Sequence, residues 1–347
     1  METNLSPEQA KVRRYEILAT FEDMVDYAIE HQIAIILIAG DMFDTKQNQQ
    51  KQIKNRVLDI IRHASEIDFL YLQGNHDKDN FFRELQDKPE NLKLFSDKWS
   101  AYDYGNISIY GVEFNGHHTE EIYGELILNE HKFNIVTLHG QVANYKKDMQ
   151  TEEINLSALQ NKYIDYLALG HIHEYQFERL DYRGSYCYPG CLEGRGFDEC
   201  GEKGFVVLTI DGDSYNHEFI SLARRTFHQV RVDLTDMVEA TAIMTKIEGE
   251  IQEIPADDMV KVILVGEILE ETEIDLNYMA QKLKSKFFFL KITDQTKVAI
   301  DYSRYEHDVS LKGEFVRKVQ ALELSKEEKS KIIMMGINAI VGKEVGR

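Results

Sequence analysis

Residues 33–41 read Ile-Ala-Ile-Ile-Leu-Ile-Ala-Gly-Asp, seven apolar residues without interruption and then a turn residue and a carboxylate. The run is too short for a typical helix and rich in β-branched side chains, which predicts a strand buried on both faces. The same grammar recurs three times. Phe69 to Leu72 stops at Gly74-Asn75-His76-Asp77, Ile135 to Leu138 stops at His139, and Tyr163 to Leu169 stops at Gly170-His171-Ile172-His173. Each apolar strand delivers polar, ligand-type side chains at its C-terminal end.

Upstream of the first strand, Ser6-Pro7-Glu8-Gln9 reads as an N-cap, a first-turn proline and a capping-box acceptor. Val12, Tyr15, Ala19, Val25 and Ala28 then recur at roughly helical spacing, so the first element is a helix. A helical segment around Ile53 to Ile61 separates the first two strands, while Ile107 to Phe114 and Gly204 to Ile210 read as strands of a more antiparallel region. The fold class is therefore α/β, with helices covering a sheet core.

After about Arg225 the pattern becomes strand (Gln229 to Leu234), helix (Val238 to Ile251), strand (Met259 to Val265), helix (Leu276 to Lys286) and strand (Phe287 to Ile292), a compact second domain. Two amphipathic helices follow Tyr302. The first carries Leu311, Phe315, Val319 and Leu322 on one stripe, and the second opens with the capping box Ser325-Lys326-Glu327-Glu328. The domains predicted are 1–224, 225–302 and a helical tail 303–347.

With 347 residues, 43% of them apolar, the chain can bury one large core and a smaller one. The opening residues hold no apolar signal-peptide core, and no stretch nears the roughly 18 apolar residues of a spanning helix. Neither export nor membrane insertion is expected, and a cytoplasmic protein is. Cys187, Cys191 and Cys200 are odd in number and fit neither a disulfide framework nor a paired zinc site, so they read as reduced and structural. The net charge of −20 repels a polyanion. If DNA is the substrate, metal ions, a basic patch or a partner must offset that repulsion.

A carboxylate, a carboxamide oxygen and imidazole nitrogens suit a borderline divalent cation such as Mn²⁺, Fe²⁺ or Zn²⁺. One carboxylate can bridge two cations, and the water between them becomes a hydroxide nucleophile suited to attack on phosphorus. Each piece alone is weak: Gly40-Asp41 also describes a strand-ending turn, and a lone His139 is more often a satisfied strand-end histidine. His171 and His173, two apart, share a face of an extended segment. Together, in order, the four motifs point to one site.

Gly40-Asp41-Met42-Phe43-Asp44, Gly74-Asn75-His76-Asp77, Leu138-His139-Gly140 and Gly170-His171-Ile172-His173 resemble the signature blocks of the calcineurin-like metallophosphoesterase superfamily. Residues 188–205, with the smaller domain and the tail, resemble its DNA repair exonuclease branch, the SbcD-like and YhaO-like nuclease subunits. The resemblance implies a metallophosphoesterase β-sandwich flanked by helices (αββα), a smaller α/β capping domain that positions DNA, and two divalent metal ions, most typically Mn²⁺. Asp41 would bridge the ions, Asn75, His139 and His171 would complete the second site, and His173 would bind the first. His76 would stabilise the transition state or protonate the leaving oxygen, with Asp77 orienting its imidazole.

The family also opens with a strand ending in Asp-x-His, and no such motif precedes Asp41 here. The expectation is a start upstream of Met1. For the chain as it stands, a second site that fills, an incomplete first site with only Asp41 and His173, and poor hydrolysis are expected. The implied partners are DNA and an SMC-like, SbcC-type ATPase, with a homodimer also allowed. The apolar stripe of the first tail helix either docks that ATPase's coiled coil or packs on the second tail helix. Two other functions stay open: a phosphoesterase acting on a small phosphoester, and a catalytically weak adaptor. Arg224, Arg225, Arg231, Lys146 and Lys147 are candidate phosphate contacts, and the Gly190 to Gly196 loop, with Arg195, is expected to border the site.

Overall fold

The computed structural model of the protein describes residues 5–43, 50–77, 81–113, 121–142, 153–269, 272–299 and 302–340. The chain divides into two compact units, Met1–Thr226 and Phe227–Arg347, with the helical tail inside the second. Among the described residues no helix is long and apolar enough to cross a membrane.

The first unit runs α1 (Pro7–Glu30), β1 (Ile35–Ile38), α2 (Gln50–His63), β2 (Asp68–Tyr71), β3 (Leu92–Leu94), β4 (Ser100–Tyr104), β5 (Ile107–Gly111), α3 (Glu121–Glu125), β6 (Phe133–His139), β7 (Gln141–Val142), β8 (Glu153–Ile154), α4 (Leu156–Leu159), β9 (Tyr166–Gly170), β10 (Gln176–Arg179), β11 (Ser185–Tyr188) and the hairpin β12 (Gly204–Asp211) and β13 (Ser214–Ser221). The predicted capping box opens α1, Ser6 and Gln9 each accepting the other's backbone N–H. Strands β1, β2 and β3 form a parallel sheet, and a six-stranded sheet takes the order β10-β11-β9-β6-β5-β4.

Four layers result. Phe21, Val25 and Ala28 of α1 and Val57 and Ile61 of α2 bury the outer face of the small sheet at Phe69 and Tyr71. Leu70 and Leu72 meet Ile109, Phe133, Ile135 and Tyr166 between the sheets. Val136, Leu138, Leu167 and Leu169 face the α3 and α4 side, with Ile122, Tyr123 and Leu159. This is the αββα arrangement. Strand β6, buried at all seven positions, pairs in parallel with β9, so His139 lies level with Gly170. β1 and β2 are likewise parallel, so the residues after both leave the sheet at one end.

One expectation is corrected. β1 was predicted to be buried on both faces, but Ile35–Ile38 are only half-buried. Among the described residues β1 pairs with β2 alone, and an edge strand keeps its second side accessible.

In the second unit, β14 (Phe227–Asp233), β15 (Met259–Val265) and β17 (Phe289–Asp294) form a parallel sheet covered by α5 (Ala240–Ile251) and α6 (Leu276–Leu283), while β16 (Glu267–Leu269) pairs with β18 (Lys297–Ala299). Helices α7 (Leu311–Gln320) and α8 (Lys326–Ile340) pack on each other through Val316 and Val319 against Ile333 and Ile337. Phe315 lies against Gly336, where any side chain would overlap its ring. Of the two readings of the apolar stripe, α8 therefore takes Phe315 and Val319, while Leu311 and Leu322 stay exposed.

Helix α1 also carries a buried ionic cluster. Arg13, 5% exposed, binds Glu16 at 2.8 Å and Glu193 at 2.9 Å, and Thr20 donates to Glu193 at 2.8 Å. Arg225 Nε donates to both Glu16 oxygens at 2.9 Å, the Arg224 N–H reaches Glu193 at 2.6 Å, and the Arg224 guanidinium pairs with Asp23. Arg224 and Arg225 were candidate phosphate contacts; the structure corrects this for Arg225, which the buried Glu16 carboxylate engages, while the exposed Arg224 guanidinium pairs with Asp23 at the surface of α1. Arg231 is exposed on β14, while Asp44, Lys146 and Lys147 fall outside the described residues.

Burial pushes the Glu16 pKa up, but the hydrogen bonds and charges of Arg225 and Arg13 outweigh it and hold it below the usual value. The depressed pKa means that the cluster stabilises fully above the ordinary glutamate range and loses this contribution as pH falls through the lowered value. Glu16→Ala is expected to cost about 3 kcal/mol at neutral pH, because it withdraws the carboxylate shared by two shielded guanidinium groups. Urea unfolding checks this: the midpoint falls with little change in slope, and a difference from wild type that shrinks as pH falls below the ordinary glutamate range carries the linkage.

Candidate metal centre

The site is assembled at the strand ends. Gly40 and Asp41 follow β1, and both have positive φ, +95° and +55°. A side chain at Gly40 would overlap the imidazole of His139, so glycine is required by space as well as by conformation. Asn75 and His76 occupy the turn after β2, His139 is the last residue of β6, and His171 follows β9.

His139 Nδ1 lies 2.7 Å from the carbonyl oxygen of Ala39. The ring must donate there, which leaves the Nε2 lone pair facing inward in the neutral imidazole. That Nε2 is 2.8 Å from Asn75 Oδ1 and 3.1 Å from Asp41 Oδ2, and His171 Nδ1 is 3.2 Å from the same Asn75 oxygen. Asp41 Oδ2 is buried and, among the described residues, has no hydrogen-bond donor. With its single proton committed to Ala39, the neutral His139 ring faces that oxygen as acceptor against acceptor. Either a second proton on His139 or a cation resolves the contact. The hard and intermediate donors gathered here fit a borderline divalent cation.

The electrostatics follow from this crowding. Burial pushes the His171 pKa down to about 4, helped by His139, so this ring is neutral and ready to ligate. Burial acts the same way on His139, but the Asp41 carboxylate beside its Nε2 favours the protonated ring, outweighs burial and raises its pKa above the usual histidine value. For Asp41, burial pushes upward and is outweighed by the His139 ring and by the His76 N–H on Oδ1, so its carboxyl stays below the ordinary range.

The structure separates the two histidines of the last motif. His171 has φ +102°, so the segment is not extended there, and the expected shared face is corrected. His171 gathers with Asp41 and His139, whereas His173 gathers with Cys191 and Glu199. His173 Nδ1 is 2.7 Å from Glu199 Oε1, and the Cys191 thiol lies 3.8 Å from the His173 carbonyl oxygen. Burial, with Glu199 nearby, pushes the Cys191 thiol up to about 12, so it stays protonated. The Gly190 to Gly196 loop borders this group, with Arg195 pairing with Glu199 at 3.9 Å.

His76 is exposed, and its backbone N–H holds Asp41 Oδ1 at 2.8 Å. Asp77 was expected to orient the His76 imidazole; instead, its carboxylate, on a residue 2% exposed, accepts from the backbone of Phe43 (2.7 Å), Met42 (3.2 Å) and Gly74 (3.1 Å). Three N–H groups of two adjoining turns need an acceptor, and Asp77 supplies it. It thereby ties the turn carrying Asp41 to the turn carrying Asn75. Glu199, in an acidic stretch without motif spacing, could be found only from the fold.

Residues 13–175, which include every residue of the four motifs, match the family model described as Calcineurin-like phosphoesterase. The chain is 25% identical over 240 residues to the uncharacterized metallophosphoesterase YhaO of Bacillus subtilis, covering 66% of this chain and 58% of that protein. It is 26% identical over 249 residues to the DNA double-strand break repair protein Mre11 of Sulfurisphaera tokodaii, covering 65% and 62%. With Mre11 of Methanosarcina acetivorans the identity is 24% over 357 residues, covering 97% of this chain and 52% of that one. The chain thus spans between half and two thirds of the length of these relatives. Motifs, fold and donor geometry agree with the family match: residues 13–175 are a calcineurin-like metallophosphoesterase domain, and the chain is similar to YhaO-like and Mre11 proteins.

Proposed function

We propose that this protein is a metal-dependent phosphodiester hydrolase acting on DNA in repair. The observation that carries the reading is the buried, donorless Asp41 Oδ2 beside His139 Nε2 and Asn75 Oδ1. In this reading Asp41, Asn75, His139 and His171 hold one divalent ion, Mn²⁺ by preference, and Asp41 and His173 contribute to a second position. Bound ions of this kind supply a hydroxide nucleophile and offset phosphate charge. His76 protonates the leaving oxygen or stabilises the charge that develops on it. Asp77 keeps the two turns in place by binding their backbone.

DNA as substrate draws on the two Mre11 relatives, named for double-strand break repair. The net charge of −20 makes bound cations and an ATPase partner of the SMC-like type part of the same proposal. Val309, Leu311 and Leu322 are among the exposed apolar residues of the second unit and are the ones assigned to such a partner, and residues 225–302 are assigned to positioning the nucleic acid. The acidic balance also favours a second reading, a small phosphoester substrate, which parallel assays on linear DNA and a model phosphodiester separate.

Isothermal titration of the purified chain with Mn²⁺ is expected to show one tightly held ion, since only Asp41 and His173 are assigned to the second position; two equally tight ions would overturn that assignment. The raised His139 pKa adds a sign. Above it the donor is free, and below it each lost pH unit weakens binding about tenfold for one displaced proton. Buffers of different ionisation enthalpy report the proton released.

Mn²⁺-dependent hydrolysis of DNA is expected to be slow but to disappear in Asp41→Ala together with ion binding. His76→Ala is expected to keep ion binding and lower turnover about 100-fold. Turnover by Asp41→Ala equal to wild type would remove the site from the chemistry.

A further inference from the structure

His139 and His173 share a feature that the donor assignment alone does not explain. Each has its Nδ1 taken by an oxygen: the Ala39 carbonyl at 2.7 Å for His139, and Glu199 Oε1 at 2.7 Å for His173. An imidazole that donates from Nδ1 presents only Nε2 as a donor atom to a metal. At His173 the oxygen at Nδ1 comes from a side chain, where at His139 it comes from the Ala39 backbone.

Glu199 is built for that task. Its side chain is 11% exposed, and its second oxygen accepts the Arg195 N–H at 2.6 Å. Its own N–H closes a turn onto the Gly196 carbonyl at 2.9 Å. Gly190, φ +81°, brings the same loop against the backbone of His173 and Tyr175, closely enough that a side chain there would be tight against both. The carboxylate is thus held from its own side, while the His173 side chain stays 32% exposed.

We propose that Glu199 is a positioning residue that sets the neutral tautomer of His173, fixing the proton on Nδ1 and presenting Nε2 to a divalent cation. The inference deepens the reading of His173 as a ligand and rests on it for the cation, but the tautomer itself is a property of the chain alone.

The test has two arms on the full chain. In the ion-free protein, ¹⁵N-detected NMR of the His173 ring is expected to show a protonated Nδ1. Glu199→Ala moves the proton largely to Nε2, the tautomer favoured in water, and Glu199→Gln, which keeps an acceptor oxygen, restores the wild-type pattern. An unchanged tautomer in Glu199→Ala overturns the proposal, and so does a change that Glu199→Gln shares in full. In the second arm, Mn²⁺ titration is expected to show the weaker position losing about tenfold in affinity in Glu199→Ala and less in Glu199→Gln. If the tautomer moves while Mn²⁺ binding does not, the positioning role stands and the reading of His173 as a ligand fails. Loss of affinity without a tautomer change overturns the positioning role instead.

Discussion

The hydrogen bond from His139 Nδ1 to the Ala39 carbonyl joins the last residue of β6, in the large sheet, to the residue that follows β1 in the small one. It is a link between two layers and a chemical switch setting at once. By using the ring's proton it turns the other nitrogen into an inward-facing lone pair, and it holds the β1 end close enough for Asp41 to meet that lone pair at 3.1 Å. The closeness explains the residues around it. Gly40 lies where a side chain would overlap the His139 ring, and Gly170, level with His139 on β9, lies where one would overlap the Ala39 carbonyl.

The remaining geometry is held against resistance. Asp41 and His171 both have positive φ, a region that side chains other than glycine occupy at a cost of order 1 kcal/mol or more. Asp41 is kept there by the His76 N–H on one oxygen and by the grip of Asp77 on Met42 and Phe43. Strain of this kind persists only where neighbours over-determine the backbone, and here the over-determination comes from a carboxylate that touches neither ligand ring in its described bonds.

The parts of the site legible in the sequence were those that a local pattern announces. An apolar run ending in Gly-Asp, Gly-Asn-His-Asp or Gly-His-x-His marks a strand end, and parallel pairing then brings ends together, which is why Asp41, Asn75, His139 and His171 were found and do meet. The helix start at Ser6, the order of elements after Arg225 and the capping box at Ser325 were legible for the same reason. What was not legible depends on partners far apart in the chain. Arg225 looks like a phosphate contact until Glu16, 209 residues away, is seen to hold it. Asp77 looks like a partner for its neighbour His76 until three backbone N–H groups claim it. The turn at His171 is set by its surroundings, and no feature of Gly-His-Ile-His forecasts a φ of +102°.

The grip of Asp77 on Phe43, Met42 and Gly74 is made entirely of bonds within the chain, and none of its three donors depends on a bound ion. The cradle is therefore preorganised: an arriving cation meets donors whose scaffold is already ordered, and its binding free energy is not drawn on to fold a loop.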